Sequence, residues 1–477
     1  MRKENSIIAA CVILLSAMLL FSCTKNIKTD EADISGTQWI GTLTVGVVEM
    51  RLRFNFTPDK EGKLTGTMDS SDQGVEGIPF SDVLFDGKKL AVSVDSVQGT
   101  YRGALSETKD MFKGTWSQGG QEFALDLKRE TEKLELVRPQ EPKPPFPYTT
   151  EDIIFTSPFE EGNTIGATIT IPEGKGPFPA VVLISGSGQQ DRDCFIMGHR
   201  PFLVIADHLA RNKIASIRYD DRAVGESIGQ LESVTSENFA DDALAALQKL
   251  KKHGKTDPKK LGMIGHSEGG MIAPIAFSKA PVDISFMVLL AGPGTRGDVL
   301  LVKQSAMILE AMGQPEEVIA QALKMNRQIY DTVIKYKDDL TRKLKVATIF
   351  AGEEITSEEQ IAEKIPPAMI AKIKIVTSPW FVYFLNYDPA PFLKKISVPV
   401  LALNGDKDLQ VYWKDNLEGI EKTLKASGNK DVEIRMFPTL NHLFQHSETG
   451  VISEYGQIEE TFAPEALTMI SEWINSK

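Results

Sequence analysis

One short stretch of this 477-residue chain collects the residue types that could do chemistry. It runs from Leu261 to Ile272, LGMIGHSEGGMI, and sets Ser267 between His266 and Glu268 with Gly265 and Gly269 two positions away on either side. The preceding KLGMIG is a short apolar run that reads as a strand, and EGGMIAPIAFSK after it reads as a helix. A serine at a tight strand-to-helix turn has its hydroxyl lifted clear of the sheet. Glycines on both sides remove the side chains that would collide where the helix folds back. Pro274, seven residues past the serine, predicts a bend in the second turn of that helix.

An alcohol at its ordinary pKa is a weak nucleophile and needs a base within hydrogen-bond reach. The chain offers six histidines, at 199, 208, 253, 266, 442 and 446. His208 lies in an amphipathic helical stretch and His253 in a charged run, so both read as packing or surface residues. His266 is expected to diverge from its neighbour at a sharp turn. His442, in FPTLNHLF, follows the last expected strand, where loops at strand C-terminal ends gather into a site. It is the favoured base, with His446 as its rival. The imidazole in turn needs a carboxylate to fix its tautomer and stabilise its charged form. VPVLALNGDKDLQV ends a buried strand at Gly405 and offers Asp408, the favoured acid, and Asp406.

Backbone N–H groups aimed at a developing oxyanion would complete the set. Glu268 contributes one at the helix start. The loop after PAVVLIS, GSGQQDRD, contributes the other from Ser187 or Gly188. A phosphate-loop reading of GSGQQ fails because no Lys-Ser/Thr follows it. Metal hydrolysis is not expected, since H-E-x-x-H is missing, and no cofactor is called for.

These residues must be held by elements, and the rhythm of the chain supplies them. From about 150 onward strands and helices alternate: GATITIP, PAVVLISGSG, RPFLVIADHLARN, IASIRYD, ENFADDALAALQKLKKH, then the serine stretch and ISFMVLLAG. Further on come VPVLALNG, DVEIRMF and a final helix. Such alternation predicts a mostly parallel sheet with helices on both faces. Between about 299 and 390 the alternation stops and helical stretches dominate, which reads as a cap inserted between two strands. In it, Trp380, Phe381, Tyr383 and Phe384 either line a pocket or form cap core.

The first part of the chain has a different grammar. Residues 36–135 show short alternating strands punctuated by Asp-Gly and Gly-Gly, predicting an all-β sandwich or small barrel. Five prolines in RPQEPKPPFPY mark 136–149 as a semi-rigid linker. Residues 1–22 carry Arg2 and Lys3 and then a short apolar run, the shape of a secretory signal. LLFSC at its end resembles a bacterial lipobox, which implies lipidation at Cys23, a polar tether over 23–35 and an exported lipoprotein held in the cell envelope. With Cys11 in the signal and Cys23 at its end, Cys194 alone remains as a thiol, so no internal disulfide or cysteine-built zinc cluster is expected. A net charge of -12 leaves no basic footprint for nucleic acid.

Five ordered motifs carry a family resemblance: GSGQQDRD, RYDDRAVGES, GHSEGG, LNGDKDLQV and LNHLFQ. Residues from about 150 to 477 resemble the α/β-hydrolase superfamily and, more narrowly, bacterial serine carboxylesterases. The resemblance implies Ser267 as nucleophile, Asp408 as acid and His442 as base, with structural roles for Asp191, Arg192 and Asp193 near the oxyanion loop. It implies hydrolysis of carboxylic esters through an acyl-enzyme. A glycan acyl esterase or a serine peptidase on the same fold, and an inactive surface binding protein, are the alternatives. Two positions depart from the family pattern. Ser185 stands where a histidine often opens the oxyanion loop, and Ala223 where glycine is usual after Arg222.

Overall fold

The computed structural model describes residues 34–45, 48–59, 61–70, 75–130 and 137–477. The signal stretch, Cys23 and most of the tether lie outside these residues. The chain divides into two compact units. One runs to Val137 and includes Tyr455–Gln457; the other comprises Arg138–Glu454 and Ile458–Lys477.

The first unit is a single ten-stranded antiparallel sheet. Its strands are β1 (Gln38–Val45), β2 (Val48–Pro58), β3 (Leu64–Ser70), β4 (Val75–Pro79), β5 (Asp82–Phe85), β6 (Lys89–Val94), β7 (Gly99–Leu105), β8 (Met111–Gln118), β9 (Gln121–Ala124) and β10 (Leu127–Arg129). They are ordered β4-β3-β2-β1-β10-β8-β7-β6-β5, with β9 pairing β8. Strict alternation sends every second side chain inward, so Trp39, Phe54, Tyr101, Phe112 and Trp116 form one buried aromatic core. Between the two terminal strands, Phe80 N–H donates to Gly66 O (2.9 Å) and Ser81 N–H to Ser93 O (2.8 Å). One dipeptide thus bonds β3 and β6, each next to an end of the sheet, and draws the two ends toward one another.

The second unit is built on an eight-stranded sheet, ordered β11-β12-β14-β13-β15-β16-β17-β18. The strands are β11 (Tyr148–Thr156), β12 (Thr164–Pro172), β13 (Phe178–Ile184), β14 (Ala215–Tyr219), β15 (Thr256–His266), β16 (Phe286–Leu290), β17 (Val400–Gly405) and β18 (Val432–Phe437). β11 and β12 pair antiparallel, as do β12 and β14, and every other neighbouring pair is parallel. The first three crossovers are helices α1 (Pro201–Arg211), α2 (Ser236–Lys252) and α3 (Gly269–Lys279). Alternate residues of the central strands enter two different cores. Val182, Ile184 and Met263 pack with α2 and α3, whereas Val181, Leu183 and Ile264 pack with α1 and the C-terminal helix Pro464–Asn475. Burial on both faces is why these strands read as near-continuous apolar runs.

Between β16 and β17 the chain forms the cap: α4 (Gly297–Ala311), α5 (Glu316–Lys335), α6 (Asp339–Ala351), α7 (Glu358–Lys364), α8 (Pro367–Val376), α9 (Pro379–Asn386) and α10 (Ala390–Leu393). It has its own core around Ile329, Val333, Val346, Ile373 and Leu385. Helix α11 (Trp413–Ala426) then joins β17 to β18.

The start of the proline-rich stretch is pinned to the second unit. Arg138 donates to the carbonyls of Ile458 (2.9 Å), Met197 (3.0 Å) and Gly198 (3.2 Å). Gln140 donates to Phe462 O (2.6 Å) and accepts from Thr461 N–H (2.6 Å). Glu141 pairs with Arg200 at 2.7 Å. Residues 138–141 therefore form part of the body they were expected to lead into.

Candidate active site

Strand order brings the chemistry-bearing loops together. β13 lies between β14 and β15, so the chain reverses its direction of travel across the sheet at β13, and ligands bind at the carboxyl ends of strands at such a point. Ile184 pairs with Gly265, so the loop opening at Ser185 emerges beside the turn carrying Ser267. His266 pairs with Leu290, Leu290 with Leu403, and Gly405 with Phe437. The ends of β15, β17 and β18 are therefore level, and each delivers one candidate residue to the same edge.

Ser267 sits in the turn between β15 and α3 with φ 55°, in the left-handed region that a non-glycine residue rarely occupies. The two glycines allow the close approach this turn requires. A Cβ on Gly265 would lie 2.1 Å from Gly269 O, and one on Gly269 would lie 2.2 Å from Ile184 O. The Ser267 N–H is spent on Leu290 O at 2.8 Å, anchoring the turn to the next strand. Helix α3 continues through Pro274 to Lys279. The proline removes a single backbone bond from a helix buried from Gly269 to Phe277, and packing outweighs that loss.

His442 is buried, and its Nδ1–H donates to Asp408 Oδ2 at 2.8 Å. Asp408 is fully buried, and its other oxygen accepts the N–H groups of Gln410 and Val411, both at 2.8 Å. The carboxylate is thereby fixed on both sides. Asp406 instead accepts Thr439 N–H at 2.7 Å and so braces the loop after β18. His446 is held at the surface between Glu460 (2.8 Å) and Glu465 (3.1 Å). His208 bonds Ser471 Oγ at 3.0 Å and His253 meets Glu151 at 3.4 Å, both distant from this edge in their partners.

Ser267 and His442 line one cavity of about 280 Å³, together with Gly186, Ser187, Glu268 and cap residues including Trp380. Among the described residues Glu268 N–H has no acceptor, which leaves it available to a ligand. Ser187 is part of the lining, whereas Gly188, with φ 96°, is not; both are exposed. Trp380, Phe381 and Phe384 line the cavity, and Phe381 also packs against the cap core, so both expectations for these aromatics hold in part.

Residues 200–354 match the family described as Serine aminopeptidase, S33. The chain is also 28% identical over 306 residues to Esterase EstD of Thermotoga maritima. That match covers 63% of this chain and 64% of the length of that curated relative. The larger unit is thus similar in sequence to a serine aminopeptidase family and to an esterase, and it carries the parallel pairs β13–β15 and β15–β16. Among solved structures, the chain is similar to the Pyrococcus furiosus esterase Pf2001, at 15% identity and TM-score 0.43, covering 72% of this chain and 98% of that one. It is also similar to Est1E from Butyrivibrio proteoclasticus, at 15% identity and TM-score 0.37, covering 66% and 94% respectively.

Three sets of contacts at the site are not legible in the sequence. His266 does not simply diverge: its Nε2–H donates to His442 O at 2.8 Å, with ring centroids 4.8 Å apart. Burial, and secondly the neighbouring His442, depress the His266 pKa to about 3, so it stays neutral. The Glu268 side chain is buried and accepts both Ser236 Oγ (2.6 Å) and Trp380 Nε1 (2.8 Å). Burial raises its pKa despite these bonds. Asp221 accepts Ser185 Oγ and Gln190 N–H, each at 2.9 Å.

The neighbouring charges are paired. Arg192 bonds Asp220 and Glu226, both at 2.6 Å, and Arg222 bonds Asp242 and Glu160, both at 2.6 Å. Asp193 pairs with buried Arg218, and Asp191 accepts the N–H groups of Asp193 (3.0 Å) and Phe195 (2.9 Å). Among the described residues, no group of His, Cys, Asp and Glu is arranged to hold a metal ion.

Proposed function

We propose that this protein is a serine carboxylesterase hydrolysing carboxylic esters through an acyl-enzyme. Ser267 Oγ attacks the ester carbonyl carbon while His442 Nε2 takes its proton; the carbonyl oxygen becomes an oxyanion facing Glu268 N–H and Ser187 N–H. The C–O bond to the alcohol breaks, and His442 returns the proton to the departing alkoxide. Water then repeats the attack, assisted by the same imidazole, and releases the acid and free Ser267. Asp408 keeps the His442 proton on Nδ1, leaving Nε2 free to accept.

The observation that carries this reading is the buried Asp408–His442 hydrogen bond of 2.8 Å, opening on the cavity that also contains Ser267. Similarity to Esterase EstD supports the ester as substrate. The match to a serine aminopeptidase family favours a peptidase as the second reading. An aminopeptidase must pair the substrate's ammonium group with an anion, and the one carboxylate in the cavity lining, Glu268, is already engaged by Ser236 and Trp380. We therefore prefer the ester.

The test is Ser267→Ala. Hydrolysis of short nitrophenyl esters should disappear while the thermal melt is retained, and wild-type protein should be labelled by a fluorophosphonate at neutral pH. Full activity in the variant would overturn the assignment. We also infer from the sequence that the chain is exported and lipidated at Cys23. Radiolabelled palmitate should be incorporated by the full chain and not by Cys23→Ala. Among the described residues no helix is long and apolar enough to cross a membrane.

A further inference from the structure

We propose that Asp221 is a positioning residue that clamps the oxyanion loop, an inference that rests on the esterase reading. The loop leaves β13 at Ser185 and turns back by Gln190. A single carboxylate holds both ends: Asp221 Oδ1 accepts Ser185 Oγ and Oδ2 accepts Gln190 N–H, each at 2.9 Å. The clamp is reciprocated by the backbone, since Asp221 N–H donates to Gln190 O at 3.0 Å. What lies between the two anchored ends is the segment nearest the nucleophile. A Cβ on Gly186 would lie 3.1 Å from Ser267 Cβ, and Gly186 and Ser187 both line the cavity.

Asp221 is itself set by its neighbours in the chain. Tyr219 ends the buried strand β14, and Arg222 is locked to Asp242 of α2 at 2.6 Å. The clamp therefore transmits the rigidity of β14 and α2 to a loop with little packing of its own, in which Ser187 and Gly188 are exposed. Ser185 supplies the hydroxyl that makes one of the two bonds. An oxyanion donor displaced by a fraction of an ångström loses most of its transition-state interaction and little ground-state binding.

Gln190 N–H can only donate and Ser185 Oγ donates in this arrangement, so both bonds are strongest to the ionised carboxylate and weaken on its protonation. The titratable groups facing it are Glu268 from the turn after β15, Asp242 from α2, Tyr219 from β14 and Cys194 from the loop before α1. Burial, with the acidic Glu268 and Asp242 nearby, raises the Asp221 pKa to about 7 against the opposing bonds from Gln190 and Ser185. The clamp is thus engaged above neutrality and released as the pH falls. Protonation of Asp221 therefore adds its own contribution to the acid limb of the profile.

The experiment compares kcat and KM for nitrophenyl acetate across pH in wild type, Asp221→Asn and Ser185→Ala, with thermal melts of each. Asp221→Asn should lower kcat about 10- to 100-fold, short of deleting an oxyanion donor, with KM within about threefold. Its log kcat should fall less steeply at acid pH than that of wild type, because the contribution of Asp221 protonation is gone. Ser185→Ala removes one bond to the carboxylate and should move the acid limb upward in pH. A purely structural role would lower folded protein without altering the pH profile. Superimposable profiles in all three, or unchanged kcat in folded Asp221→Asn, would sink the inference. If wild type is not labelled by a fluorophosphonate, the esterase reading falls and this inference with it. Labelled wild type with an indifferent Asp221→Asn overturns the clamp alone.

Discussion

The side chain of His266 donates to the main-chain carbonyl of His442 at 2.8 Å, across 176 residues of sequence. The residue before the candidate nucleophile thus holds the backbone of the candidate base, and the two loops cannot drift independently. Replacing His266 with Ala should lower kcat about tenfold, in line with about 1.4 kcal/mol for one lost positioning bond. The check is kcat for nitrophenyl acetate, with His266→Asn as a partial rescue because its amide retains a donor.

The same residue has a consequence for stability. Burial holds the His266 pKa at about 3, whereas an unfolded histidine titrates near 6.5. Between those values the unfolded chain binds more protons, so stability contributed by neutral His266 is complete above about pH 6.5 and declines as the pH falls toward 3. Urea unfolding of wild type and His266→Asn from pH 7 to pH 4 should show a shallower decline in the variant. Equal slopes would contradict this account.

Asp408 accepts two backbone N–H groups as well as the His442 ring. Asp408→Asn keeps the shape but can turn an N–H toward Nδ1, favouring the wrong imidazole tautomer. A loss of kcat on the order of 10³- to 10⁴-fold is expected, with the melt lowered only modestly. Loss of less than about tenfold would remove Asp408 from the proposed triad.

Glu268 joins the turn after Ser267 to the cap through Trp380 Nε1 at 2.8 Å, and the Trp380 ring is a cavity wall. Trp380→Phe keeps an aromatic ring and deletes the donor. KM for esters with bulky acyl groups should change severalfold, while acetate esters are nearly unaffected. Trp380→Phe indistinguishable from wild type across an acyl series would show that the hydrogen bond does not set the wall.

Ala223 occupies a left-handed backbone conformation, φ 58°. An L-residue is strained there by about 1–2 kcal/mol, a cost that glycine avoids. Ala223→Gly should therefore stabilise the protein, by roughly 1 kcal/mol after the entropy lost to glycine, seen as a rise in Tm.

How much of this was legible in the sequence follows from how local each feature is. The turn at Ser267 was readable because strand, glycines and helix all lie within about a dozen residues. Asp408 was readable because it follows the end of the buried apolar strand β17, and His442 because it follows the last strand, β18. The partners of His266, Glu268 and Asp221 were not, because each contact joins side chains from different parts of the sheet or cap and leaves no periodic trace. The proline content of residues 138–148 suggested a spacer, while Arg138 and Gln140, whose partners lie more than 300 residues away at Ile458 and Phe462, gave no local sign of docking. Gly188, offered with Ser187 as a donor, is not among the residues that line the cavity.

Arg138 covers the carbonyls of Met197, Gly198 and Ile458, and Gln140 satisfies both Phe462 O and Thr461 N–H. A protease cutting ahead of Arg138 would leave every one of these groups satisfied. A cut beyond Glu141 could release the strip and bare a row of main-chain polar atoms beside Phe462, which stacks on Phe444 two residues from His442. Where the polypeptide is severed, within a span of only a few residues, would then decide whether the severed hydrolase keeps its histidine loop in register.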